Sequence, residues 1–168
     1  MALARITSRV DAAGLLRAQV HEVHRQLDAG LAASERGTGP RAPAGQSLVV
    51  ALYVHAATVE DVTVQSLLRR VAPVYETDWA GTGPARYSTA DLAPVRAYAQ
   101  QVFAATDAYL AELGVDGLNR RVDLVRLGQG TQTVAWVVSK FVVLQLSKIY
   151  GELASAARAQ GQPGPRPR

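Results

Sequence analysis

Three histidines, two lysines and a small set of carboxylates are the groups in this chain whose spacing could do chemistry. His55 lies between Leu52 and Val59 at helical spacing, which puts one imidazole on an apolar face. Gln145, Lys148 and Glu152 recur three and four residues apart in the last long apolar segment. They continue a stripe that begins with Val134, Val138 and Phe141. A helix face that turns from apolar to polar either leaves the core or lines a cavity. If it lines a cavity, Lys148 or Glu152 can polarise a substrate carbonyl or move a proton, with His55 and Gln145 as acid/base and hydrogen-bonding partners. If it leaves the core, Lys148 and Glu152 are an ordinary i, i+4 pair at the mouth.

The other candidates carry weaker signals. His21 and His24 stand three apart, whereas the metalloprotease helix motif needs four, so that chemistry is excluded. The plain reading for both is the protein rim; His24 is the closer to a core stripe, beside Val20 and Leu27. Glu60 and Asp61 lie a turn past His55, either supporting it or simply at the surface. The Gly81–Gly83 and Gly128–Thr131 turns match neither a phosphate loop nor a dinucleotide fingerprint.

Four long segments must position these groups. The first, about Ser8 to Ala33, carries Leu16, Val20, Val23, Leu27 and Leu31 at helical spacing, with Thr7 or Ser8 as cap and Gly30 weakening its end. The second runs from about Gln46 to Val71 behind a candidate cap at Ser47, with Leu48, Leu52, His55, Val59, Val62 and Ser66 on one stripe. The third, about Asp91 to Leu113, opens with Ser88 and Asp91 in a capping pattern and Pro94 in the first turn. Its inward stripe is Val95, Ala99, Val102, Thr106, Tyr109 and Leu113. The fourth, from Thr131 as cap to Arg158, holds the polar stripe.

Residues 37–46 read as a loop, and Ala72 to Ala90 as a long connection pinned by Tyr75, Trp79 and Tyr87. Gly117 to Gly130 forms a second connection, with an extended VDLVRL piece over one end. These elements predict an all-α fold: a four-helix bundle over residues 1–160, a long connection between helices two and three, and a disordered tail at 161–168.

Composition narrows the function further. The chain has 168 residues, 48% hydrophobic and 19% charged, enough for one domain with a single core. The absence of cysteine excludes disulfides, thiolate metal sites and cysteine nucleophiles. A net charge of +4 is spread over scattered arginines, so no nucleic-acid partner is expected. No signal-peptide pattern opens the chain, and its apolar runs stop short of the ~18 residues of a membrane span. The expected setting is the cytoplasm, without a membrane partner.

Several stretches together resemble the DinB-like superfamily of helical bundles, relatives of mycothiol- and bacillithiol-dependent S-transferases. They are LVVALYVHAATVEDV (Leu48 to Val62), DWAGTG (Asp78 to Gly83), VRAYAQQVFAATDAYL (Val95 to Leu110) and VVLQLSKIYGELA (Val142 to Ala154). The resemblance implies a four-helix bundle with a metal held by one histidine on helix two and two on helix four. Here His55 matches the first, Gln145 and Ile149 stand in the places of the other two, and Gly151-Glu152 matches the end of that motif. A three-nitrogen site cannot form from His55 alone, although His24 or Glu60 could substitute. The expectation is therefore no bound metal or cofactor and a small-molecule ligand in the altered cavity. The protein is then an enzyme using His55, Gln145, Lys148 and Glu152, a non-catalytic binding protein, a bundle that mainly forms a homodimer, or, with substitute ligands, a metal-dependent thiol S-transferase.

Overall fold

Apolar residues at helical spacing account for most of the structure. The computed structural model describes residues 12–36, 48–75 and 92–159. Helix α1 spans Ala12–Arg36. Helix α2 spans Leu48–Asp61 and continues as the π-helical Val62–Arg69. Helix α3 spans Ala93–Glu112, with Pro94 in its first turn where a missing N–H costs little. A short helix α4, Val115–Asn119, leads into a hairpin of β1, Arg121–Asp123, and β2, Thr131–Thr133. The strands are antiparallel, with Arg121 opposite Thr133 and Asp123 opposite Thr131, and a 3-10 turn at Val125–Leu127 lies between them. Helix α5 is one continuous rod in three parts: Val134–Val137, the π-helical Val138–Leu144, and Gln145–Ala159.

The protein is thus mostly helical, with one small two-stranded sheet among the described residues. Helix α5 packs on both α1 and α2, and α3 packs on α1 and α2. Side-chain pairs set the directions. Asp28 meets Tyr53 and His24 meets Glu60, so α2 runs against α1. His24 meets Phe103 and both Arg17 and His21 meet Asp107, so α3 also runs against α1.

The α1 stripe of Leu16, Val20, Val23, Leu27 and Leu31 is buried, as its spacing predicts. On α3, Val95, Ala99, Val102 and Thr106 are buried, while Tyr109 and Leu113 are half-buried. Gly30 does not end α1, which runs to Arg36. A Cβ at Gly30 would overlap Leu153 Cδ2, so Leu153 of α5 packs onto α1 at this glycine and would have to shift for any larger residue. Thr131 belongs to β2 and does not cap α5; Thr133 does, its Oγ1 accepting from the Trp136 N–H at 3.2 Å. Of the predicted extended VDLVRL piece only Val122 and Asp123 are strand, in β1; Val125–Leu127 is the 3-10 turn between the strands. The caps at Thr7, Ser8 and Ser47, the Ser88–Asp91 pair, Trp79, Tyr87, the 37–46 loop, most of the connection from Ala72 to Ala90 and the 161–168 tail lie outside the described residues.

The two π-helical segments pack against each other, and they decide which side chains face inward. A π turn holds more residues than the 3.6 of an α turn, so the face toward the core is handed on in larger steps. In α5 the buried series is Val134, Val138, Val142, Leu146, Ile149, Leu153 and Ala157. The expected stripe through Phe141, Gln145, Lys148 and Glu152 is therefore not the inward face. In α2 the inward residues include Val49, Tyr53, Ala56, Glu60 and Val64, a face displaced from the one that carries His55.

The wide helix ends at Arg70, whose φ of 60° is the left-handed conformation common at helix C-termini. Arg120 Nη2 donates to the Leu68 carbonyl and the Tyr109 hydroxyl, each at 3.0 Å, which satisfies one of the carbonyls that a helix end leaves open. Leu48–Arg69 and Val134–Arg158 are each long and apolar enough to cross a membrane by length and composition alone. In this structure 61% of the apolar window of the first and 33% of that of the second are buried against the rest of the protein.

Candidate functional site

The polar centre of the molecule is a contact between α1 and α2. His24 stands on the inner side of α1, between Val20 and Leu27, and is 7% exposed. Its Nε2 lies 2.7 Å from Glu60 Oε2, and Glu60 is fully buried. The imidazole stacks on Phe103 of α3, with ring centroids 3.8 Å apart and planes 12° from parallel. Tyr53 meets the same Phe103 edge-on at 6.5 Å. Its hydroxyl donates to Asp28 Oδ1 at 2.6 Å. Burial, and then this bond, push the Tyr53 phenol above its ordinary pKa, so it stays a donor.

Asp61, next to Glu60, faces α3 and is also fully buried. It accepts from the Val74 N–H at 3.0 Å, the Tyr75 N–H at 3.2 Å and the Tyr98 hydroxyl at 3.0 Å. Burial raises its pKa, and the three donors work against that rise. These bonds give Asp61 an architectural role, since they hold the chain after α2 to the first turns of α3. Glu60 has no such role for its second oxygen. Glu60 Oε1, Gln65 Nε2 and Thr106 Oγ1 are buried side-chain atoms with no hydrogen-bond partner among the described residues. One buried oxygen on an imidazole and one without a partner among the described residues is an arrangement that can exchange a proton with a bound molecule.

The sequence-predicted set is distributed differently. His55, Lys148 and Glu152 are exposed, and Gln145 is half-buried. The structure does not bring these four together on an interior wall, because the π-helical turn rotates Lys148 and Glu152 outward and His55 sits on the outer side of α2. Ile149, at the position where the resemblance implies a metal ligand, is buried in the core. Among the described residues no three His, Asp or Glu side chains converge as a metal would require. The implied donor set, His55 with the positions of Gln145 and Ile149, therefore does not come together among the described residues, and neither His24 nor Glu60 completes it there.

Sequence reading gives Glu60 only a supporting or surface role, or that of a substitute metal ligand, and takes His24 as a rim residue beside the Val20 and Leu27 stripe. The signal is present: Glu60 lies seven residues after Tyr53 and four after Ala56, so a helix face carrying those two inward also carries Glu60 inward. What hides it is the near-continuous apolar run from Leu48 to Val59, which marks no face.

At the surface nearby, Asp107 accepts from Arg17 Nε and Nη2 and lies against His21 Nε2. The Arg17 hydrogen bond, with His21 adding to it, holds the Asp107 carboxyl down at about 2. A carboxylate with a depressed folded pKa contributes stability that is complete above its unfolded value, 3.8, and is lost as pH falls toward about 2. Asp107→Asn should therefore be less stable than the parent at about pH 5, and the two urea midpoints should converge toward pH 2. High salt should shrink the difference, since the cluster is open to water.

Comparison of the chain with protein-family models, with curated proteins and with solved structures finds no match.

Proposed function

We propose that this protein is a DinB-like four-helix bundle that handles a small molecule in its interior through the His24–Glu60 pair, without the three-histidine metal site of that superfamily. The carrying observation is the state of Glu60: fully buried, with Oε2 on His24 at 2.7 Å and Oε1 without a partner among the described residues. A purely architectural carboxylate has every reason to be fully bonded, as its neighbour Asp61 is. The open oxygen is where a bound molecule can donate a proton, and the imidazole behind it is where that proton can be stored. Positioned acid/base groups of this kind contribute on the order of 10²–10⁴ to a rate. Four long helical segments around the pair, and a long connection between α2 and α3, support the bundle assignment.

Thermal shift against thiols, aromatic acids and polyketide-like compounds tests this reading, with the parent and Glu60→Gln run in parallel. A true ligand at about a hundred times its Kd stabilises by roughly 2.7 kcal/mol, and Glu60→Gln should lose most of that shift. Equal shifts in both proteins would place the ligand elsewhere and sink the assignment.

A further inference from the structure

The side of α2 turned away from the core has the pattern of a helix–helix seam. Leu48, Leu52, His55, Val59, Val62 and Ser66 recur at steps of four, three, four, three and four residues. At 3.6 residues per turn the first five stay within about 40° of one line along the helix. Alternating steps of three and four are the spacing by which one helix packs on another. The structure turns this line outward: Leu48 is 55% exposed and Val62 41%, His55 is exposed, and Leu52, Val59 and Ser66 are half-buried. Tyr53 and Glu60, on the opposite side of α2, supply its buried face. The seam is therefore additional to the core.

Charge selects the occupant. From Leu48 to Leu68 the acidic and basic residues are Glu60 and Asp61, and both are fully buried. The exposed side of α2 over that length carries no carboxylate, ammonium or guanidinium group, in a protein with a net charge of +4. Depletion of charge is the compositional mark of an interface centre. An anionic lipid surface or an acidic peptide would be recognised through basic side chains, which this stretch lacks. A second copy meets it without opposing like charges, provided that the two copies run antiparallel. The first exposed charges past the seam are Arg69 and Arg70, at one end only. A parallel pair would bring these four guanidinium groups together. An antiparallel pair centred on His55 sets them at opposite ends, about 40 Å apart, several Debye lengths at physiological salt. The spacing agrees with that centre: Leu48 and Val62 lie seven residues either side of His55, and Leu52 and Val59 lie three and four. A two-fold axis at His55 then sets Leu48 on the partner's Val62 and Leu52 on the partner's Val59, the same patch on both copies.

We infer that the outer face of α2 is the interface of a homodimer, antiparallel about a two-fold axis at His55. From Leu48 to Val62 the face is about 20 Å long and about 10 Å wide. Two such faces bury less than the ~1,200 Å² at which standard interfaces begin, so the dimer is a weak, reversible one, with a Kd in the micromolar range or above. This surface lies away from the His24–Glu60 pair, and the inference stands without the functional reading above.

Sedimentation equilibrium of the full chain, from about 1 μM to about 1 mM, tests it. The parent should show a monomer–dimer equilibrium. Leu48→Glu and Val62→Lys each bring an unpaired charge into the contact, and each should weaken the dimer by at least about tenfold. Combined in one chain, the two should bring it back to within about tenfold of the parent, because the introduced charges, opposite in sign, then face each other across the axis. In a parallel dimer the same combination would oppose like charges and be weaker than either single change. His55→Lys, at the axis, should leave only monomer, and Val125→Lys, on the exposed hairpin turn, should change nothing. Each variant is first shown to be folded by circular dichroism; should one of the α2 changes fail to fold, His55→Lys at its exposed position carries the test. A parent that stays monomeric throughout, a dimer unmoved by Leu48→Glu, Val62→Lys and His55→Lys, or a double variant weaker than both singles would overturn the inference. So would a monomeric parent that sediments with phosphatidylglycerol vesicles and loses this in Leu48→Glu, since the face would then be a membrane surface.

Discussion

His24→Ala should lower the unfolding free energy by roughly 3–5 kcal/mol, among the largest single-residue effects expected in this chain. The reason is less the lost contact than what remains. Glu60 has no exposed surface, and His24 is the only hydrogen-bond partner of its side chain among the described residues. Removing the imidazole leaves the carboxyl group with nothing, and also strips Phe103 of its stacked neighbour, a contact worth about 0.5–1.5 kcal/mol beyond area. Glu60→Gln keeps a polar partner for the imidazole and should cost nearer to about 1 kcal/mol. The pair His24→Leu with Glu60→Leu should recover most of the His24→Ala loss, because replacing both members of a buried pair by apolar groups is often neutral or stabilising. Urea unfolding of the parent and these three variants decides the matter. A His24→Ala loss under about 1 kcal/mol would mean that Glu60 finds water in solution and is not buried as described.

The α1 stripe is legible in the sequence because that helix is amphipathic, whereas on α3 the contrast is weaker and the stripe is buried only from Val95 to Thr106. Leu16, Val20, Val23, Leu27 and Leu31 alternate with charged residues, so the buried face has a contrast to be read against. The α2 face is not legible, since Leu48 to Val59 is apolar almost all round and periodicity there selects no side. That is why the sequence sets His55, the one imidazole in the run, on the inward stripe and leaves Glu60 a supporting or surface role. The α5 face misleads for a different reason: strict 3.6-residue stepping assumes an α-helix throughout, and the π-helical segment at Val138–Leu144 breaks the assumption. Hydrogen-bond pairing across helices cannot be read from one sequence at all. His24 and Glu60 are thirty-six residues apart, and only the packing of α1 on α2 makes them neighbours.

Leu146→Ala should cost about 2–5 kcal/mol, while Gln145→Ala, Lys148→Ala and Glu152→Ala should each stay within about 0.5–1 kcal/mol. Both halves follow from the register that the π-helical segment imposes on α5. Leu146 is fully buried, and its side chain fills the space where α5 lies against α1 and α2. Truncation there removes buried methyl groups and leaves a cavity that close-packed neighbours only partly collapse. Lys148 and Glu152 are exposed, so their truncation removes hydrated side chains from a helix in which Ala is the best helix former. Gln145 is half-buried and should fall at the upper end of the small range. The contrast is diagnostic because an uninterrupted α-helix through Val134, Val138 and Phe141 makes the opposite prediction. In that register Lys148 and Glu152 point inward, and Leu146 is the residue that can be cut without consequence. Denaturation midpoints at constant m-value for the four variants separate the registers. Small losses at Leu146 with large ones at Lys148 would restore the polar wall on α5, and with it His55 and Glu152 as the groups facing a ligand.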